Sequence, residues 1–391
     1  MRNKIITIIF IVYILIFTIG TIVAKDRAFS DMENRNLAQF PAVSVKSIFS
    51  GDFSDGFESY MSDQIIFKDF LVKLKVGENR VLNQTYINQT YFADGRYIRG
   101  YKENFIQIDR NLGFVNEFAE NNPELNITWL MVPNACYVYN DSLPPYADVD
   151  DQAMTIKYIE KNVSERINFV DVSDELVSAK GDYIYYNTDH HWTMNGAYIG
   201  YKKLCKELGI KAMSKDTYDI ETVREDFYGT LYSDAPVFGT EPDDIILYKN
   251  DTGKYTVNYV NEDFTQDSLY NYDKLNIKDK YQVYLDGNHA IIRIKNNSYY
   301  DDNRGLDTGE RESGDADKSA SSDRVIVVKD SYAHSLLPLL ADNYEEIIVV
   351  DLRYYHEKTV SDLAKEEGIT DIIMINNIDF FNSDDNFLWL M

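Results

Sequence analysis

The chain opens on one unbroken apolar block. Arg2 and Lys4 precede residues 5–24, where Tyr13 is the only ionisable side chain. At ~1.5 Å per residue a helix over this block spans ~30 Å, one bilayer core. A cleaved signal peptide is the alternative, but its apolar stretch usually runs about 7–15 residues. An uncleaved N-terminal transmembrane helix is therefore expected. Basic residues lead the block, while Lys25, Asp26, Arg27 and Asp31 mix behind it, a slight bias that puts the N-terminus inside and the bulk outside.

Behind the block the periodicity changes. Phe53, Phe57, Tyr60, Ile65, Phe67, Phe70, Leu71 and Leu74 recur at helical spacing over residues 51–75. Asp94-Gly95 between apolar neighbours predicts a hairpin over 91–98, and 105–120 is again helical. The run ITWLMV at 127–132, ending before Pro133, predicts a buried strand. A helix over 156–167, a strand over 169–172 and a helix over 197–208 stopped by Gly209 follow. From about 211 to 300, β-like stretches (245–248, 255–259, 290–294) alternate with polar loops and read as a β-rich insertion. Residues 300–323 carry almost no apolar side chain and predict a mobile loop. The last quarter is the most regular: strand 324–329, helix 332–341, strand 346–352, helix 360–368, strand 371–375. Such strand–helix–strand units are joined right-handedly into a parallel sheet. The expected fold is α/β, a parallel sheet flanked by helices, organised as an anchor at 1–27, a helical segment at 28–90 and a main domain at 91–391.

Composition narrows the partners. A net charge of −25 argues against nucleic acid, whose phosphates need clustered Lys and Arg. Cys136 and Cys205 are too few for a disulfide framework or a thiolate metal site, and one bridge between them stays open. The 31 Tyr and 20 Phe suit polar, ring-shaped ligands such as sugars.

Reactive side chains in a parallel sheet collect where strands end at their carboxyl edge. Ser331 follows the strand at 324–329 and opens a helix, so its hydroxyl leaves the sheet, and its own N–H and that of Tyr332 lie at a helix N-terminus. The plainer reading is that Asp330 or Ser331 caps the helix. Asn377, with Asn376 as its rival, ends the last strand and offers an amide to an oxyanion or merely makes a turn. A serine needs a base. Of the five histidines, His190 and His191 adjoin Asp189, and in an extended stretch Asp189 and His191 point to the same side. An acid there holds the imidazole in one tautomer and stabilises the imidazolium. Trp192 and the helix from Thr193 would fix the loop. The Asp-His-His group also has metal-ligand chemistry, but no further ligand cluster accompanies it, and no metal or cofactor is expected.

The segment TDHHWT followed by Gly-Ala-Tyr resembles the DHHW protein family of Gram-positive bacteria, related to the SGNH-like alginate O-acetyltransferases. AFSDMENRNLAQFP, SDQIIFKD, VPNACYVYNDSLPPYA, YLDGNHA, VIVVKDSYAHSLLPLL and VVDLRYYH resemble it too, so the likeness runs from 28 to 380. The resemblance implies an SGNH-hydrolase-like sheet in which Asp189 and His191 precede Ser331, a circularly permuted motif order, with Asn377 at the oxyanion position. The glycine of the usual oxyanion pair has no clear counterpart. Gly287 and Asn288 are candidates for it, and Arg353 either binds an acyl donor or sugar carboxylate or makes a structural salt bridge. The implied activity is O-acetylation of an exopolysaccharide or wall glycan outside the cell membrane, through an acyl-Ser331 intermediate and without a cofactor. A membrane-bound O-acyltransferase is the implied acyl-donor partner. A carbohydrate acetyl esterase and a catalytically degenerate glycan-binding scaffold are the alternatives.

Overall fold

The computed structural model describes residues 2–81, 86–250, 254–299 and 323–391, so most of the loop expected at 300–323 lies outside the described residues. The chain divides into two compact units, one of residues 1–88 with 230–241, the other of 89–229 with 242–391.

The first unit is helical. Helix Arg2–Val23 contains one stretch, Asn3–Val23, long and apolar enough to cross a membrane. Helices Val45–Ser50, Asp52–Gln64 and Lys68–Val81 follow. Ser44 starts the first of these with a reciprocal capping box to Ser47, and Gly51 in the left-handed region (φ 90°) breaks the chain between it and the next. Phe40 packs edge-on against Phe53, Phe57 and Tyr60. Asp63 binds both Arg35 (2.5 Å) and Lys68 (2.7 Å), which ties the segment before the helices to the helices themselves.

The second unit is built on one eight-stranded sheet. Its strands are β1 (Asn126–Val132), β2 (Ile167–Asp171), β3 (Tyr255–Tyr259), β4 (Phe264–Gln266), β5 (Ile291–Asn296), β6 (Arg324–Lys329), β7 (Glu346–Val350) and β8 (Asp371–Asn377), arranged β4-β3-β5-β7-β6-β8-β1-β2. From β7 to β2 all pairings are parallel, with Val327 facing Val349 on one side and Ile373 on the other. The runs VIVV and IIVV and the II of β8 are buried throughout, as strands covered on both faces must be.

The sheet is mixed rather than wholly parallel. β3, β4 and β5 come from the stretch read as an insertion, yet they extend the central sheet antiparallel, with Ile291 opposite Val350. The reason is visible in β3, where buried and exposed residues alternate, the pattern of an antiparallel strand with one face uncovered. The hairpin Thr90–Ala93 with Arg96–Arg99 turns at Asp94 (φ 48°) and Gly95 (φ 79°), the two left-handed residues that a tight hairpin requires. Cys136 and Cys205 are separate, buried free thiols.

Two helices frame the carboxyl edge. Helix Ala333–Leu340 starts directly after the turn that follows β6, and helix Met194–Leu208 packs against it. A Cβ on Gly200 would lie 2.8 Å from the Trp192 ring, so this glycine lets the indole lie flat on the helix.

Candidate active site

β6 delivers Lys329-Asp330-Ser331 to the carboxyl edge, and the segment before helix Met194–Leu208 delivers Asp189 to Trp192. Ser331, His191 and Asp189, apart in sequence, form one hydrogen-bonded line. His191 Nε2 lies 2.8 Å from Ser331 Oγ, and His191 Nδ1 lies 2.6 Å from Asp189 Oδ1. Both Asp189 and His191 are buried.

The Asp189–His191 pairing does not arise from an extended strand. Residues 187–191 form a bend between Tyr185 and Trp192, which face each other in an antiparallel bridge. Asp189 Oδ1 accepts the backbone N–H of His191 at 3.0 Å, an Asx turn that aims the carboxylate at the ring of the same residue. Asp243, which sequence reasoning missed, organises the bend. It accepts from the N–H of Asn187 and of Thr188 and from the hydroxyls of Thr188 and Tyr183. Burial pushes its carboxyl upward from the ordinary range, and these donors hold it back. Gly229 lies so close that a Cβ there would sit 2.2 Å from Asp189 Cβ.

The nucleophile turn is braced from three sides. Asp330 accepts the N–H of Tyr332 (2.8 Å) and that of Asn377 (2.5 Å), which ties the turn to the end of β8. Burial raises its carboxyl to about 6, against the opposing pull of these two N–H groups. The indole N–H of Trp192 donates to Tyr332 O at 2.8 Å, and the Tyr332 hydroxyl donates back to His190 O. The DHHW segment and the Ser331 turn thus hold each other. Tyr281 completes the brace: its ring stacks on His191 with centroids 3.9 Å apart and an 8° tilt, and its hydroxyl donates to Ser331 O at 3.1 Å. No sequence signal marked Tyr281, because it comes from a short turn about 50 residues before the serine.

The other expected site residues fall into distinct roles. Tyr332 N–H is engaged by Asp330, whereas Ser331 N–H makes no hydrogen bond to the described residues. Asn377 uses its side chain structurally, donating to Val132 O and capping Asp379 N–H. Asn376 accepts from Trp129 Nε1. Arg353 holds Asp351 through two of its nitrogens and reaches Asn288 Oδ1 at 3.1 Å, while Gly287 N–H closes a turn onto Tyr284 O. Although burial pulls the other way, Lys329 and Arg353 hold the Asp351 carboxylate below its usual range. His190 lies beside His191 with the rings tilted by 38°, and desolvation, then the His191 imidazole and the charges of Arg99 and Arg353, keep it far below the ordinary histidine range against the pull of Asp189. Asp189, His190 and His191 are close enough together to hold a cation. His191 has already committed both ring nitrogens, one to Asp189 and one to Ser331. The arrangement is a serine with an oriented base, suited to acyl transfer.

Residues 127–350, more than half of the chain, match the family described as DHHW protein. No curated protein matches the sequence significantly. Among solved structures, a DHHW family protein from Eubacterium siraeum is similar, with 23% identity, a TM-score of 0.61, and coverage of 78% of this chain and 95% of that one. Bacillus cereus PatB1, solved with a sulfonyl adduct, matches at 17% identity and a TM-score of 0.60, covering 77% of this chain and 98% of its own. The O-acetyltransferase domain of Pseudomonas putida AlgJ matches at 12% identity and a TM-score of 0.44, covering 75% of this chain and 92% of that one.

Proposed function

Because this chain belongs to the DHHW protein family, we propose that it is an extracytoplasmic O-acyltransferase that acetylates an exopolysaccharide or cell-wall glycan through an acyl-Ser331 intermediate. The observation that carries this reading is the continuous line Ser331–His191–Asp189, with contacts of 2.8 and 2.6 Å. Ser331 Oγ attacks the donor's acyl carbonyl while its proton passes to His191 Nε2. The tetrahedral oxyanion forms against the open Ser331 N–H. As the C–O bond to the leaving group breaks, His191 returns the proton to that group and the acyl ester of Ser331 remains. A glycan hydroxyl then gives its proton to His191 and attacks the ester, and Ser331 leaves with that proton. Water in place of the hydroxyl makes the same site an esterase. Asp189 orients the imidazole throughout.

In this reading acid and base precede the nucleophile, a permuted SGNH-like order. Residues 1–27 anchor the protein, 28–90 link to the catalytic domain, and the domain faces outward, where a membrane-bound O-acyltransferase supplies acetyl. Support for the anchor comes from the apolar helix Arg2–Val23. The test uses the purified full chain with p-nitrophenyl acetate, with and without an oligosaccharide acceptor. Acetylated oligosaccharide that disappears in Ser331→Ala supports the transferase. Ester hydrolysis without transfer makes it an esterase, and no turnover by the wild type refutes catalysis at Ser331.

A further inference from the structure

Away from Ser331, the second unit contains a cavity of about 330 Å³. Four tyrosines, Tyr248, Tyr255, Tyr270 and Tyr272, line it together with Asp267 and Asp273, and Pro338 contributes from helix Ala333–Leu340. Pro338 lies seven residues after Ser331, so the cavity is ~10 Å further along the helix that the serine opens.

The walls are pre-set. Tyr270 donates its hydroxyl to Tyr248 O at 2.6 Å, and Tyr255 donates to Asp342, which also receives Asn250 Nδ2 at 2.7 Å and Lys254 Nζ at 2.9 Å. Tyr272 is different, with 46% of its surface exposed at the rim. Asp267 and Asp273 have no cationic partner among the described residues, whereas the one lysine of the lining, Lys249, is paired with Asp219 and Glu221. Because Tyr248, Tyr255 and Tyr270 are buried, a ligand meets the exposed ring of Tyr272 at the rim, side-chain amides such as Asn250 and Asn271, carboxylates that accept hydroxyl protons, and a net negative lining. Volumes of roughly 300–1,000 Å³ are usual for small-ligand pockets. The exposed Tyr272 ring takes the apolar face of a sugar ring, and the uncompensated carboxylates accept its hydroxyl protons while repelling uronates.

We infer that this cavity is a second glycan subsite, which holds a neutral or amino sugar of the acceptor strand while Ser331 modifies a hydroxyl elsewhere on it. The inference deepens the glycan reading above and rests on it for the strand's role, but binding is read independently of turnover.

Binding of chitotriose, cellotriose and trigalacturonate to the full chain in detergent micelles, followed by saturation-transfer NMR and titration, tests it. Chitotriose or cellotriose should bind, and Tyr272→Ala should weaken that binding by about tenfold, ~1.4 kcal/mol. Asp273→Ala, also at the exposed rim, should weaken it as well. Ser331→Ala should bind as the wild type does, and Tyr272→Ala should hydrolyse p-nitrophenyl acetate at the wild-type rate. Absence of binding by both neutral probes overturns the inference. So does binding that survives both Tyr272→Ala and Asp273→Ala unchanged, or trigalacturonate binding more tightly than either. The two readings fail separately: saccharide binding with an unreactive Ser331 refutes acyl transfer and supports the cavity.

Discussion

Gly229→Ala adds one methyl group, and the structure specifies where it goes. The new Cβ would lie 2.2 Å from Asp189 Cβ, 2.5 Å from Asp189 Oδ2 and 2.7 Å from Asp189 Cα. Ordinary carbon contacts begin near 3.4 Å, so the two segments must separate by about 1 Å. Turning the Asp189 side chain does not relieve the clash, because its Cα is among the atoms met. A shift of the Asp189–His191 turn by that amount lengthens the 2.8 Å contact from His191 Nε2 to Ser331 Oγ or distorts the 2.6 Å bond from Asp189 to His191 Nδ1. A misplacement of ~1 Å in a catalytic constellation can cost about a hundredfold in rate. The expected outcome is a fall of that order in kcat for p-nitrophenyl acetate with little change in KM, because the added methyl group meets Asp189 and not Ser331. Thermal unfolding is measured alongside, and a fold that melts within a few degrees of wild type attributes the loss to the site. If Gly229→Ala retains kcat within about twofold, the argument that Asp189 must sit where the structure puts it is refuted.

Trp192→Phe keeps most of the buried ring but removes the donor to Tyr332 O. Losing one hydrogen bond of this kind costs about 0.5–1.5 kcal/mol, which urea unfolding should register together with slower Ser331 acylation. Asp330 makes stability depend on pH. Its folded carboxyl titrates at about 6 against an ordinary 3.8, so the folded chain keeps a proton that the unfolded chain releases. This contribution is complete below about pH 4, declines as pH rises toward 6 and is gone above it, on the order of 3 kcal/mol in all. Asp330→Asn should flatten that part of the stability–pH curve, and an unchanged slope would count against it. Burial pushes the Cys136 thiol up to about 11 and the Cys205 thiol up to about 12. Neither should react with a thiol reagent at pH 8 before unfolding, and reductant should leave the melting temperature unchanged.

The last quarter of the chain was legible almost residue by residue. Its strands are continuous apolar runs and its helices end at glycines such as Gly368, and both signals are local. The Ser331 turn and the Asp189–His191 segment were legible as candidates for the same reason, since each occupies a short segment with its own chemistry. The antiparallel strands β3 to β5 were not legible as part of the central sheet, because pairing across it is a choice of partner, not of local pattern. Asn377 shows the same limit: a strand-end amide looks alike whether it faces an oxyanion or, as here, Val132 O. Sequence alone determined the apolar N-terminal helix, the α/β class and the three residues of the Ser331 line, because periodicity and side-chain chemistry are carried by neighbours along the chain. Only the tertiary structure decided that Asp330 locks the turn, that Tyr281 stacks on His191 and that Gly229 leaves room for Asp189, because each depends on atoms that approach from distant segments once the core has closed.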